Sequence, residues 1–428
     1  MTRQRQPDVP RRMTDRSRNA KEPVIRSPSL ARVEAGNLCA GCGACAMIAP
    51  GSVEMEMAPP GFLRPRQSGQ VSAEQERRIS RVCPGLGQRV EAGGRPDDAL
   101  WGPYLDMRTG HATDPDLRFV ASSGGALSAL LVHLLEEGQV HGVVQTWAAG
   151  DASSCEHQRG FGDGADIRRA AGSRYAPSAP FAHLGSLLGK GMCYAFVGKP
   201  CDAAALRALA REDDRVSRTF PVILSFFCAG VPSQSGAEDV LSALGIHQAE
   251  AMAFRYRGHG WPGKATATLA DGSERSMSYQ DSWGGILSRH VQHRCKICAD
   301  GTGKAADIVC ADAWHADEKG YPLFEESDGI SLIVARTEVG ERLLRGAEAA
   351  GRLRTEAFDV NALARLQPGQ YNRRRVLLAR LWALRLVGRP VPRYEGLQLW
   401  NAARHAAPLL FLRNFLGMLR RIILGRAP

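Results

Sequence analysis

Three cysteines at two-residue spacing, Cys39-Ala-Gly-Cys42-Gly-Ala-Cys45, constrain this chain more than any other stretch of its 428 residues. The small residues between them let the backbone fold closely around three corners of a cubane and offer N–H groups to the sulfurs. A fourth thiolate is required. Cys83, followed by Pro84, supplies the Cys-Pro step with which ferredoxin-type runs end. Only one such triplet occurs, so Cys83 is assigned to the same [4Fe-4S] cluster across a 37-residue insertion. The competing assignment is structural zinc, but zinc modules pair two C-x2-C knuckles rather than a triplet with a distant Cys-Pro.

A second set is looser. Cys295-Lys-Ile-Cys298 is a single C-x2-C, a spacing shared by zinc, redox thiols and clusters. Its best partners are Cys201, in Gly-Lys-Pro-Cys201, and Cys228, in Ser-Phe-Phe-Cys228-Ala-Gly. Both stand where candidate strands end beside Pro or Gly. Four thiolates from three loops make a second [4Fe-4S] site. Of the remainder, Cys193 reads as a small core residue at the start of an apolar strand, Cys155 is unassigned, and Cys310 competes for a place among the ligands. The chain opens on a polar, Arg-rich stretch with no export signal, so the expected compartment is the cytoplasm. There its 11 cysteines are expected to serve metal or redox chemistry rather than disulfides.

The net charge of +11 is unevenly placed. Residues 1–32 contribute +6 and residues 373–428 contribute +11, leaving the body near −6. That excludes a nucleic-acid channel through the fold and points to basic tails that meet something anionic. No apolar run is long enough to span a membrane.

Five regions follow from composition and period. Residues 1–30 read as a disordered basic N-terminus and 31–92 as a ferredoxin-like module. Residues 98–180 and 181–350 form the two parts of the body, and 357–428 a basic helical tail. Residues 124–138 have helical apolar spacing, while 192–198, 222–227, 330–336 and HGVVQTW are strand-like. The fold class is therefore α/β (α+β), with a mixed or parallel sheet. The last segment, LLFLRNFLGMLRRIILG, admits two readings: an interfacial helix on a membrane, or a terminal helix docked on its own body.

Three loops have the chemistry to hold an anionic, planar ligand. Ser122, Ser123, Gly124 and Gly125 directly precede the helix of 126–137, where backbone N–H groups make an anion site. The plainer alternative is that a serine simply caps the helix. Ser173, Arg174 and Tyr175 form a second group, and Arg255, Arg257, Trp261 and Lys264 a third. Arg and Lys can pair phosphates, and Tyr and Trp can stack on a ring. His259 lies in the third group and is the one candidate proton donor.

CAGCGACA, ASSGGALSALL, GSRYAPS, GKPCDAAALR, SFFCAGVPS, FRYRGHGWPG and RCKICADGTGKAADIVCADAW occur in this order. In these pieces the chain resembles the coenzyme F-420 hydrogenase/dehydrogenase beta subunit family over roughly residues 35–335. The resemblance implies an FAD-containing reductase with a ferredoxin-like module, its flavin near the three loops above, and Cys201, Cys228, Cys295 and Cys298 as ligands. One departure is that Cys310-Ala-Asp312-Ala-Trp314 stands where Gly-Asp-Ala-Trp is expected.

The functional expectation is an iron–sulfur flavoprotein oxidoreductase. Electrons pass from ferredoxin or a similar donor through two [4Fe-4S] clusters to FAD and on to a small-molecule substrate: a deazaflavin coenzyme, a tetrapyrrole or a polysaccharide precursor. The alternative is a non-catalytic electron-transfer subunit of a larger redox complex. The basic tail adds an expected peripheral contact with the inner membrane face. Substrate, direction of electron flow and oligomeric state are not specified by the sequence.

Overall fold

The structure is a computed structural model that describes residues 24–148, 155–160 (backbone course only), 164–314 and 326–425. An eight-stranded mixed sheet forms its centre. In chain order the strands are β1 (Asp106–Ala112), β2 (Gly142–Ala148), β3 (Cys155–Gly160), β4 (Tyr194–Gly198), β5 (Val222–Phe226), β6 (Ile308–Ala313), β7 (Ile330–Ala335) and β8 (Leu353–Ala357). The spatial order is β8-β1-β7-β6-β5-β4-β2-β3. The inner strands β2, β4, β5 and β6 run parallel, with Ile223 level with Phe196 and Leu224 level with Ile308. The flanking pairs are antiparallel.

Strand alternation divides the side chains between two layers. Val222, Leu224, Ile333 and Ala335 face a layer shared with the helices Ala126–Glu136 and Glu338–Ala349. Ile223, Val309, Leu332 and Val334 face the other layer. There the helix Pro200–Glu212 and the Cys-rich module pack through Ile48, Ile79, Val82, Leu206 and Leu209. The cluster loops are thereby fixed to one face and end of the sheet. A three-stranded sheet, Ala251–Arg255, Lys264–Leu269 and Glu274–Ser278, carries the third ligand loop and was not visible in the sequence pattern.

Four expectations need revision. Residues 1–23 lie outside the described residues, but 24–30 are not disordered. Pro28 starts a helix to Ala35, and buried Ser27 caps it by accepting from the Leu30 N–H. The tail after 357 is not a separate helical unit either. Arg393–Glu395 pairs in parallel with Gly87–Arg89 of the first module. Leu377, Leu381, Leu384 and Met418 close a common core over Val33, Leu38 and Val90. Burying these apolar side chains, each contributing about 1.5–3 kcal/mol, makes the tail a clamp on the Cys-rich module. Cys193 precedes the strand rather than opening it, with its sulfur 3.3 Å from His141 Nδ1. Cys310 has no thiol neighbour among the causes that act on it. It sits in the apolar layer under β6, and burial alone pushes it up to about 12.

Candidate functional site

The first thiol group is built by backbone curvature. Gly41 and Gly43 have φ of 78° and 84°, left-handed values that turn the chain between Cys39, Cys42 and Cys45. A Cβ on Gly43 would stand 3.1 Å from the Ala182 nitrogen. Cys83 arrives at the end of the helix Ala73–Val82, whose start is held by reciprocal bonds between Ser72 and Gln75. These four thiols feel one another. Burial, then Cys83 and Asp202, push Cys42 far above the ordinary thiol range. Burial, then Cys83 and Cys39, do the same to Cys45. Burial, then Cys39, push Cys83 up to about 11.

The second group is equally coupled. Burial and Asp202 raise Cys201, with Cys228 and Cys295 adding to the rise. Burial, then Cys295, push Cys228 up to about 12, and Cys298 acts in the same direction. The carbonyl of Gly301 accepts from the Cys228 N–H at 2.8 Å, joining two of the loops. Arg373 donates to the carbonyls of Ala229 at 2.8 Å and Cys295 at 3.0 Å, and Gln370 to that of Cys228 at 3.0 Å. By these mutual influences the eight cysteines singled out in the sequence fall into two sets of four. Four cysteines in each set make the donor set that a cluster taking four thiolates requires. Among the described residues no three His, Cys, Asp or Glu side chains are disposed to hold a single metal ion.

Two cations stand beside these cysteines, Arg294 acting on both sets and Lys199 on the second, and the sequence reading had missed both. Arg294 is 2% exposed and donates to the Pro84 carbonyl at 2.7 Å. Burial holds Cys39 and Cys83 above the ordinary thiol range and the Arg294 charge opposes that rise on one side, while against its own burial Tyr394, then Cys298, Cys201 and Cys295, favour its protonated form on the other. Lys199 Nζ stands 2.7 Å from Asp202 and 3.1 Å from Ser178 Oγ. Burial opposes its charge, but Asp202, Cys201 and Cys228 outweigh burial and keep it protonated. The available signal was adjacency: each cation stands beside one of these cysteines in sequence, in Arg-Cys295 and Lys-Pro-Cys201.

The three ligand loops also converge. Ser173 donates to Ser122 Oγ at 2.9 Å, and Ser123 to the Ile330 carbonyl at 2.8 Å. The Gly260 N–H donates to the Phe119 carbonyl at 2.9 Å. Neither serine caps the following helix: Gly125, at φ 73°, is its N-cap and no side chain bonds the first turn. A Cβ on Gly329 would sit 2.4 Å from the Ser123 carbonyl, so the loop and the start of β7 are in direct backbone contact.

Arg257 does not have the role expected of it. Its guanidinium is 5% exposed and forks onto Asp312 at 2.7 and 3.2 Å, while Nε donates to the Pro262 carbonyl at 2.6 Å. It therefore holds the loop. The unspent donors belong to Arg174 and Arg255, whose buried Nε atoms have no hydrogen-bond partner. Burial, against the pull of Glu274, and then the nearby Arg174 charge lower Arg255. Two adjacent guanidiniums with unused donors fit an anionic group such as a diphosphate. Trp261 stacks at 6.5 Å on Trp314, whose buried Nε1 is unpartnered. Tyr175 lies 4.6 Å from Trp283, and His259 stacks on the exposed ring of Phe119 at 5.2 Å. Lys264 is exposed, 3.6 Å from Glu326.

Comparison with known proteins gives the following matches. Two family models of the coenzyme F420 hydrogenase/dehydrogenase beta subunit match, the N-terminal one over residues 107–184 and the C-terminal one over 191–361. The F subunit of the F(420)H(2) dehydrogenase from Methanosarcina mazei is 24% identical over 333 residues, 74% of this chain and 84% of the relative. The beta subunit of the coenzyme F420 hydrogenase from Methanococcus voltae is 26% identical over 267 residues, 60% of this chain and 86% of the relative. One polypeptide of the F420-reducing NiFe hydrogenase complex from Methanosarcina barkeri aligns with a TM-score of 0.49 at 20% identity, covering 64% of this chain and 91% of that one.

Proposed function

The chain belongs to the coenzyme F420 hydrogenase/dehydrogenase beta subunit family, a family of redox subunits, and within it we propose that this protein is the flavin- and cluster-bearing electron-transfer subunit of a larger redox complex. The reading is supported by two sets of four cysteines that act on one another, together with loops whose Arg174 and Arg255 carry buried Nε donors without a partner. Cys39, Cys42, Cys45 and Cys83 would hold one [4Fe-4S] cluster, and Cys201, Cys228, Cys295 and Cys298 the other. FAD would lie across the loops of Ser122–Gly125, Ser173–Tyr175 and Arg255–Trp261, its diphosphate met by Arg174, Arg255 and the helix start at Ala126. When bound, such groups supply one-electron carriage and its coupling to two-electron chemistry.

The chain's own residues contribute placement and field. Arg294 holds positive charge that acts on both thiol sets and Lys199 holds it beside the second, which favours added electrons there. Asp312 and Arg257 fix the aromatic loop. A second reading, a self-sufficient reductase fed by ferredoxin or a similar donor, is favoured by one observation. His259 stacks on the exposed ring of Phe119, and burial, then Arg255, lower its pKa. It is therefore neutral at physiological pH, with an N–H to offer a small substrate.

The test is anaerobic isolation of the tagged protein from its native host, beside the same protein made alone. The proposal predicts that the native material carries a redox partner protein and passes electrons to coenzyme F420 or another acceptor only in that complex. Full turnover of a small substrate by the isolated chain with ferredoxin would replace the proposal with the second reading.

A further inference from the structure

The helix Pro408–Ile423 uses only one side for folding. Met418 is buried, and Phe415, Leu419 and Ile422 pack beside it on the core that includes Leu381 and Leu384. On the adjoining flank Leu409, Leu412, Leu416 and Ile423 are exposed by 77%, 50%, 52% and 79%. At about 100° per residue these four fall within a strip of roughly 60°, and Arg413, Arg420 and Arg421 occupy the adjoining sector. Trp400, also exposed, joins this surface through Trp382, whose ring touches Trp400 at 5.2 Å and Phe411 at 5.4 Å.

Elsewhere such exposure is sparse. Of the fourteen large apolar side chains exposed among the described residues, eight lie between Leu386 and Leu424. The charge here has one sign. No Asp or Glu occurs from Gly396 onward, while Arg404, Arg413, Arg420, Arg421 and Arg426 do. A second copy of this face would meet it with like charge, which disfavours self-association. An apolar strip bordered on one flank by arginines matches a bilayer interface, where leucines enter the acyl boundary and guanidiniums meet anionic headgroups. No helix among the described residues is long and apolar enough to cross a membrane, so the helix lies in the plane.

We propose that Pro408–Ile423 is an in-plane anchor that seats this protein on an anionic lipid surface. The inference stands independently of the redox reading, because it uses none of the residues of the thiol groups or the cradle. It is tested by sedimenting the full-length, cofactor-loaded protein with vesicles of phosphatidylcholine containing roughly 30 mol % phosphatidylglycerol, and with phosphatidylcholine alone. The protein should pellet with the anionic vesicles, and raising salt should release it. L412E/L416E should weaken binding about tenfold or more. R420Q/R421Q should remove much of the salt-sensitive part. Both variants should keep wild-type iron, flavin and melting temperature, since all four side chains are exposed or half-exposed. Equal binding by L412E/L416E and the wild type, or no binding to anionic vesicles, overturns the proposal. So does a change of oligomeric state in L412E/L416E without loss of vesicle binding, which would make the strip a protein interface.

Discussion

Arg294 Nη2 donates to the carbonyl of Pro84 at 2.7 Å, joining the residue before Cys295 to the residue after Cys83. One buried guanidinium thus reaches both thiol groups, and it also lies over the Tyr394 ring at 5.7 Å. No carboxylate neutralises it among the described residues. Its charge is left to act on whatever negative charge the thiolates carry.

Substituting Arg294 by Gln should therefore lower the midpoint potentials of both proposed clusters together. The expected fall is on the order of 60 mV, a tenfold change for a one-electron couple, read by EPR-monitored titration. Arg294→Lys should fall between, because it keeps the charge but loses the fork that grips Pro84. A shift confined to one cluster would remove Arg294 from its bridging position.

The cysteine assignments predict an asymmetric pattern of iron loss. Cys298→Ser should reduce iron from about eight to about four per chain, leaving the flavin spectrum in place. Cys310→Ser should keep full iron and cost stability instead, since it places a hydroxyl in the apolar layer of Ile308 and Ile333. Loss of iron in the Cys310 variant would return that residue to the ligand set.

Arg257 and Asp312 form a buried fork, and removing one partner strands the other. Arg257→Met is expected to destabilise the fold by about 3–5 kcal/mol, measured by denaturant unfolding. Gly329→Ala should act differently. Its Cβ would press on the Ser123 carbonyl, so flavin content should fall while both clusters remain.

His259 is held below the ordinary histidine range by burial and then by Arg255. If its neutral form offers an N–H to substrate, kcat/KM falls as pH drops through that lowered pKa, and activity is favoured on the neutral side. His259→Asn tolerates the residue's left-handed φ of 60° and should abolish that limb while leaving iron and flavin unchanged. A limb that persists belongs to another group.

How much of this was legible in the sequence depends on the range of the signal. The Cys39 triplet, the Ser122–Gly125 loop and the strand Val222–Phe226 announce themselves by local spacing and β-branched content. Long-range partnerships do not. Nothing near Arg373 marks it as a donor to the Ala229 and Cys295 carbonyls, and nothing near Arg393 marks its strand as a partner of Gly87. Arg257 was misjudged for the same reason. Its basic loop announces phosphate binding, but Asp312, 55 residues away, claims the guanidinium. The helix of 408–423 was left between two readings because periodicity gives its two faces and not which one the fold consumes.

Two four-cysteine cluster sites and a flavin site are the core of the proposed function, and one measurement addresses them most directly. The protein is purified without oxygen, and its iron, acid-labile sulfide, zinc and flavin are quantified beside the visible spectrum. About eight iron, eight sulfide and one FAD per chain are predicted. Zinc in place of iron, with no flavin, would contradict that reading at its centre.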